Sequence, residues 1–277
     1  MKCNRPRLSR RTFWVLCALL VCLRLTLTGF QQAYIWVGGA PLDDELMFRA
    51  ANSITAGQWL GAYDYLTLSK AMFFPVWLAL LHALHLPYLI SGAALWCGAA
   101  LTAAFAFSPL WRKKDPEQGR VLTLALFAVL AFLPSSWASY TLRVYRDNIF
   151  PTLCLYFFAG MAGMALRAVQ EKPEPLWPWL AAAGAGLACG YLDREDAGLL
   201  LLPFAAAATG IVAVVLVGKR RWRALAAQLI PYLMLGAGVL TFCTLNYTHY
   251  GVFALSDFSE GSFAAAMGAM MRVDTDS

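Results

Sequence analysis

Charge is scarce in this sequence, 14% of 277 residues, and where it gathers it does so in both signs. Four places stand out: Asp43-Asp44-Glu45, the single Lys70, Arg143 with Arg146-Asp147, and Asp193-Arg194-Glu195-Asp196. Carboxylates can take a proton from an attacking hydroxyl or amine, or hold a divalent cation. Arg neutralises a phosphate through a two-pronged fork, and Lys does so as a point charge. Beside a membrane, a phosphate leaving group belongs to a lipid. A plainer reading also accounts for the acids: Asp43 and Asp44 can cap a helix, whose N-terminal dipole favours them, and the 193–196 run can be a solvated turn.

The elements that must position these groups are apolar. Sixty per cent of the residues are hydrophobic and the mean hydropathy is +0.58, whereas water-soluble domains carry about a quarter charged residues. Apolar runs of about 20 residues recur, each enough to cross roughly 30 Å of hydrocarbon as a helix. The fold expected is all-α, a polytopic transmembrane bundle forming a single membrane-embedded domain over 1–277. About eight spans are read, at 12–33, 71–88, 89–110, 120–137, 149–167, 176–192, 197–218 and 224–246. The N-terminal tail 1–12 is placed in the cytoplasm, and the first loop 34–70 and the tail 247–277 outside. That arrangement puts 15 of the 22 Lys/Arg inside and 12 of the 16 acids outside. The net charge of +6 and pI near 9.0 therefore report orientation, and no nucleic-acid partner is expected. Cytoplasmic connections such as "GKRRWR" are too short for a domain, so chemistry belongs in the membrane or on its outer face. The basic and apolar N-terminus is read as an uncleaved first span.

Within the first loop, Leu46, Met47, Ala50, Ala51 and Ile54 recur at helical spacing, with Arg49 and Asn52 turned away and Gly57 placed to end the helix. A short helix lying at the membrane interface is expected, followed by Trp59, Tyr63 and Tyr65 as an aromatic belt. Gly186 with Gly190, and Gly160 with Gly163, mark close helix contacts. Pro151, Pro203 and Pro231 fall within spans as candidate kinks. The seven cysteines form no CxxC pair, and His82 and His85 have no acidic neighbour. Arg24, inside the first span, is expected to find a structural partner.

"DDELMFRAANSITAGQWLGAYDYLTLSKAMFFPVWLALLHAL" resembles the first external loop and second span of the C-type superfamily of integral membrane glycosyltransferases, which contains protein O-mannosyltransferases and aminoarabinose transferases. The matching features are the pair Asp44-Glu45, the Gly57-Gln58-Trp59 that follows the loop helix, and Lys70 ahead of the next span. Pro75 lies five residues after Lys70, a departure from the family pattern. The resemblance extends loosely over "YRDNIFP", "LDREDAGLLLLP" and "NYTHYGVF". It implies transfer of a sugar from a polyprenyl-phosphate donor to a glycan, lipid or protein acceptor on the extracytoplasmic face of the plasma (inner) membrane. Asp44 and Glu45 would then be the catalytic pair, with Asp44 the general base. Asp43, Lys70, Arg143, Arg146, Asp147, Arg194 and Glu195 would bind the donor, with Asp147 or Glu195 as options for a divalent metal. Superfamily members have more spans, so a C-terminally truncated member is the expectation. A non-enzymatic flippase of lipid-linked saccharides and a membrane scaffold subunit are the alternatives.

Overall fold

The computed structural model describes residues 7–36, 38–39, 41–112, 115–171, 174–257 and 262–272. Parts of both expected tails, 1–6, 258–261 and 273–277, lie outside the described residues. The regular structure is helical: α1 Arg10–Gly29, α2 Pro41–Thr55, α3 Phe73–Ala83, α4 Tyr88–Phe107, α5 Pro116–Ala131, α6 Phe150–Ala168, α7 Trp177–Asp193, α8 Ala197–Gly218 and α9 Ile230–Tyr250, with shorter helical pieces between. Local signals set the ends. Asp115 caps α5 by accepting from the N–H groups of Glu117 and Gln118, with Pro116 in the first turn. Gly57 takes φ +76° just beyond α2, where its N–H bonds the carbonyl of Ile54.

Among the described residues five helical stretches are long and apolar enough to cross a membrane: Arg10–Gly29, Tyr88–Trp111, Arg146–Ala168, Ala197–Gly218 and Trp222–Tyr250. A sixth is added if Pro116–Ala131 and Pro134–Leu142, bent by 45°, count as one. The expected spans 71–88 and 176–192 are met by shorter helices. Helix α3 has 11 residues, about 16 Å of rise, and α7 has 17, about 26 Å. The chain breaks after α3 because His85 takes φ +53° and Pro87 comes two residues later, and a residue before proline is driven out of the helical region. Of the three candidate kinks only Pro203 lies inside a helix. Pro151 and Pro231 sit in first turns, where the missing N–H costs nothing.

The glycines pack helices inside this chain. A methyl group at Gly160 would lie 2.5 Å from the carbonyl oxygen of Trp179, and one at Gly186 would lie 2.5 Å from the Leu153 oxygen and the Phe157 nitrogen. The backbones of α6 and α7 thus approach as closely as small residues allow. Around that seam Phe157, Met161, Met164, Leu180, Leu187 and Leu201 are buried. A second apolar cluster, including Leu46, Met47, Ala50, Leu68, Phe74 and Ile149, binds α2 and the loop after it to α3 and to the start of α6. The apolar face of α2 is as expected: Arg49 and Asn52 are exposed or half-exposed, and Arg49 pairs with Asp64 at 2.8 Å.

An isolated β-bridge ties two distant segments together. Tyr34 donates to the Leu142 carbonyl at 3.1 Å and accepts from the Val144 N–H at 2.9 Å. It fixes the segment before α6 against the segment before α2.

Candidate functional site

At the end of the bundle where this bridge lies, charged groups from four separate segments meet. Asp44, in the first turn of α2, is 1% exposed. Its carboxylate accepts from the Trp36 N–H at 2.7 Å and from Arg143, whose Nε is 3.0 and 3.3 Å from the two oxygens and whose terminal nitrogen is also bonded. The bridge at Tyr34 supplies Arg143. Arg143 is 8% exposed, and its guanidinium sits 4.3 Å from the ring centre of Tyr145 and 5.3 Å from that of Trp36. This is a desolvated fork between rings, the geometry in which Arg and a carboxylate bind most strongly.

Asp43, beside it, faces Lys70, whose Nζ is 3.0 and 3.1 Å from its oxygens, and accepts from the Tyr145 hydroxyl at 3.3 Å. That hydroxyl in turn accepts from Arg146 at 2.9 Å. Arg146, 5% exposed, reaches Glu195 at 2.9 and 3.0 Å and the carbonyl of Asp193 at 3.1 Å. Glu195 also accepts from the Ala71 N–H at 2.6 Å, next to Lys70. Burial alone would raise the Glu195 carboxyl, but the Arg146 guanidinium and the Ala71 N–H outweigh it and hold the group below its usual range. Arg194 forms a neighbouring set, donating to Asp147 at 3.0 Å and to Asp196 at 3.0 and 3.4 Å.

Eight of the nine residues given a site role from the sequence therefore gather at one end of the bundle, in adjacent sets of bonds: Asp43, Asp44, Lys70, Arg143, Arg146, Asp147, Arg194 and Glu195. The ninth, Glu45, points the other way on α2 and is exposed. Three further members, Tyr145, Asp193 and Asp196, were given no site role from the sequence. Tyr145 links Asp43 to Arg146 and stacks on Arg143, and its only signal was its place between two arginines. Asp193 is completely buried, with both carboxylate oxygens lacking a hydrogen-bond partner among the described residues. Its signal was its place at the end of an apolar helix, where a carboxylate is costly to hide.

Counting Asp193 and Asp196, six carboxylates stand against four cations, and each cation bonds a carboxylate. Every cation is thus already engaged, with two carboxylates in excess, and the cluster does not present a bare cationic trap. Among the described residues no group of three or more His, Cys, Asp or Glu has metal-holding geometry. His82 and His85 stack edge to face, 6.4 Å apart. The expected aromatic belt is partly recruited to tertiary contacts: Trp59 donates to Asn246 at 2.8 Å and Tyr63 to Asp257 at 2.6 Å, while Tyr65 stays exposed. No family model, curated protein or solved structure matches this chain.

Proposed function

We propose that the protein is a membrane glycosyltransferase that moves a sugar from a polyprenyl-phosphate donor to an acceptor on the extracytoplasmic face. The supporting observation is the convergence of Asp43-Asp44, Lys70, Arg143–Asp147 and Arg194–Glu195, which lie far apart in sequence, on one end of the bundle around the buried Asp44–Arg143 pair. In this reading α1 to α9, apart from α2, form eight crossings. The N-terminus is cytoplasmic, as the Lys/Arg asymmetry favours, and α2 lies at the interface with its apolar face inward.

Because every cation is already paired, a donor must displace a carboxylate to enter. A phosphate must exchange into the network, its oxygens taking the guanidinium fork of Arg143 and so releasing Asp44. The freed Asp44 carboxylate accepts the proton of the acceptor hydroxyl as that oxygen attacks the anomeric carbon. The bond from that carbon to the phosphate oxygen breaks, and its electron pair leaves with the lipid phosphate. Arg143, Lys70 and Arg146 then stabilise the charge that grows there, in a site poor in water where fixed cations act most strongly.

Reconstituted protein given polyprenyl-phosphate-linked sugars should release the lipid phosphate. Asp44→Asn, checked for folding by its elution as a single species, should lose turnover by about 100-fold or more, the scale of a lost general base. Full turnover by the Asn variant removes Asp44 from the chemistry. A folded wild-type protein that consumes no donor in the panel removes the transferase reading itself.

A further inference from the structure

At the end of the bundle away from the Asp44 network, the starts of α1 and α5 meet the end of α4 around a larger cavity. Helix α1 rises about 30 Å between this cavity and the segment that leads to Trp36 and Asp44. Helix α4 runs here from Tyr88, whose hydroxyl donates to the Arg143 carbonyl. The cavity measures about 270 Å³, and about 700 Å³ with its mouth. That is roughly nine water volumes, room for several methylene groups.

Its walls are apolar. Phe13, Trp14 and Phe105 form an aromatic recess with ring centres 5.2 to 5.9 Å apart. Ser108 and Thr123 also line it, but their hydroxyls already donate to the carbonyls of Phe105 and Gly119, at 2.8 and 2.9 Å. The rim is cationic. Arg120 is held there by its Nε, which donates to the Leu8 carbonyl at 2.6 Å, and one of its terminal nitrogens lies 3.6 Å from the exposed carboxylate of Glu117, a contact of little strength. Arg10 is exposed and makes no hydrogen bond or ion pair with any described residue. Asp115, at the same end of α5, pairs with Arg7 at 3.5 Å. The sequence ahead of these residues adds Lys2 and Arg5 and no acid. The positive dipole ends of α1 and α5 add to the same sign.

An apolar recess under a cationic rim selects its occupant. A neutral lipid chain leaves the arginines unmatched, and a free anion leaves the aromatic recess unfilled. Arginines at a helix end reach water without a cavity behind them, so the recess calls for something more than solvent. We propose that this cavity binds one anionic phospholipid, with its phosphate on Arg10 and Arg120 and part of an acyl chain against Phe13, Trp14 and Phe105. Basic pockets between spanning helices hold anionic headgroups in this way. The site is separate from the Asp44 network and independent of the transferase reading.

The test is native mass spectrometry of the delipidated full-length protein in detergent, titrated with phosphatidylglycerol or with phosphatidylcholine of the same acyl chains. One phosphatidylglycerol should be retained in preference to phosphatidylcholine. Arg10→Gln should lower the apparent affinity for phosphatidylglycerol at least about tenfold, the weight of one charge-assisted hydrogen bond. Arg11→Gln makes the same change of charge one position along, at a residue that does not line the cavity, and should lower it far less. Both arginines are exposed in the first turn of α1, so neither substitution disturbs the packing. Equal binding of the two lipids overturns the proposal, as do equal losses in the two variants. So does glycerol phosphate, the head without the chains, if it competes at the concentration that phosphatidylglycerol itself requires.

Discussion

Two buried arginines lie at the same end of this bundle, and their surroundings differ in one respect. Arg143 faces the carboxylate of Asp44, closely and through two nitrogens. Arg24 faces carbonyls, a hydroxyl and a ring, with no carboxylate in reach among the described residues. Burying a charge is tolerated in either way, but the consequences of removing it differ in size. Taking away one member of an ion pair strands the other, whereas taking away a cation held by neutral dipoles strands only acceptors.

That contrast orders the expected effects. Arg143→Gln leaves Asp44 charged at 1% exposure, and should cost about 3–5 kcal/mol in chemical unfolding of the purified protein, with the double variant Asp44→Asn/Arg143→Gln recovering much of the loss. Equal losses in the single and double variants break the comparison. Arg24→Met should cost less, about 1–3 kcal/mol, because only hydrogen bonds to neutral groups are lost; a loss as large as that of Arg143→Gln means that Arg24 has a charged partner after all. Lys70→Gln, at a pair whose side chains are 28% and 34% exposed, should cost at most about 1 kcal/mol.

The smallest effect concerns acid. Glu195 is held below its ordinary value of 4.5, so its contribution to stability is complete above that pH and disappears as the pH falls through the lower native value. Unfolding measured between neutral pH and strong acid should show wild type losing this component below about pH 4.5, while Glu195→Gln lacks it and has a flatter profile there. Parallel profiles show that the contact with Arg146 does not respond to pH.

Much of the architecture was legible because a bilayer imposes a coarse rule. Runs of about 20 apolar residues cross it, and each expected span has a helical counterpart here. Length failed where local backbone chemistry intervened, as at His85 and Pro87, which the apolar run around 71–88 concealed. The helix over 41–55 was legible from its 3.6-residue period. Membership of the charged network was legible too, since charges confined to one end of a membrane bundle have few places to go. Pairing was not: nothing in the order of residues states that Asp44 meets Arg143 and leaves Lys70 to Asp43, because that choice is made by the backbone bridge at Tyr34 and the ring of Tyr145. Arg24 illustrates the same limit. Its position in an apolar segment signalled that a partner was needed, but carbonyl oxygens exposed by the bend after α5 carry no sequence signature.

The bridge between Tyr34 and Arg143 joins positions 109 apart in the chain, with α2, α3, α4 and α5 all lying between them. Contacts of such span form only after the intervening loop closes, which makes them slow and late. The Asp44–Arg143 pair is therefore expected to form late in folding, each charge staying without the other until the helices between them have packed.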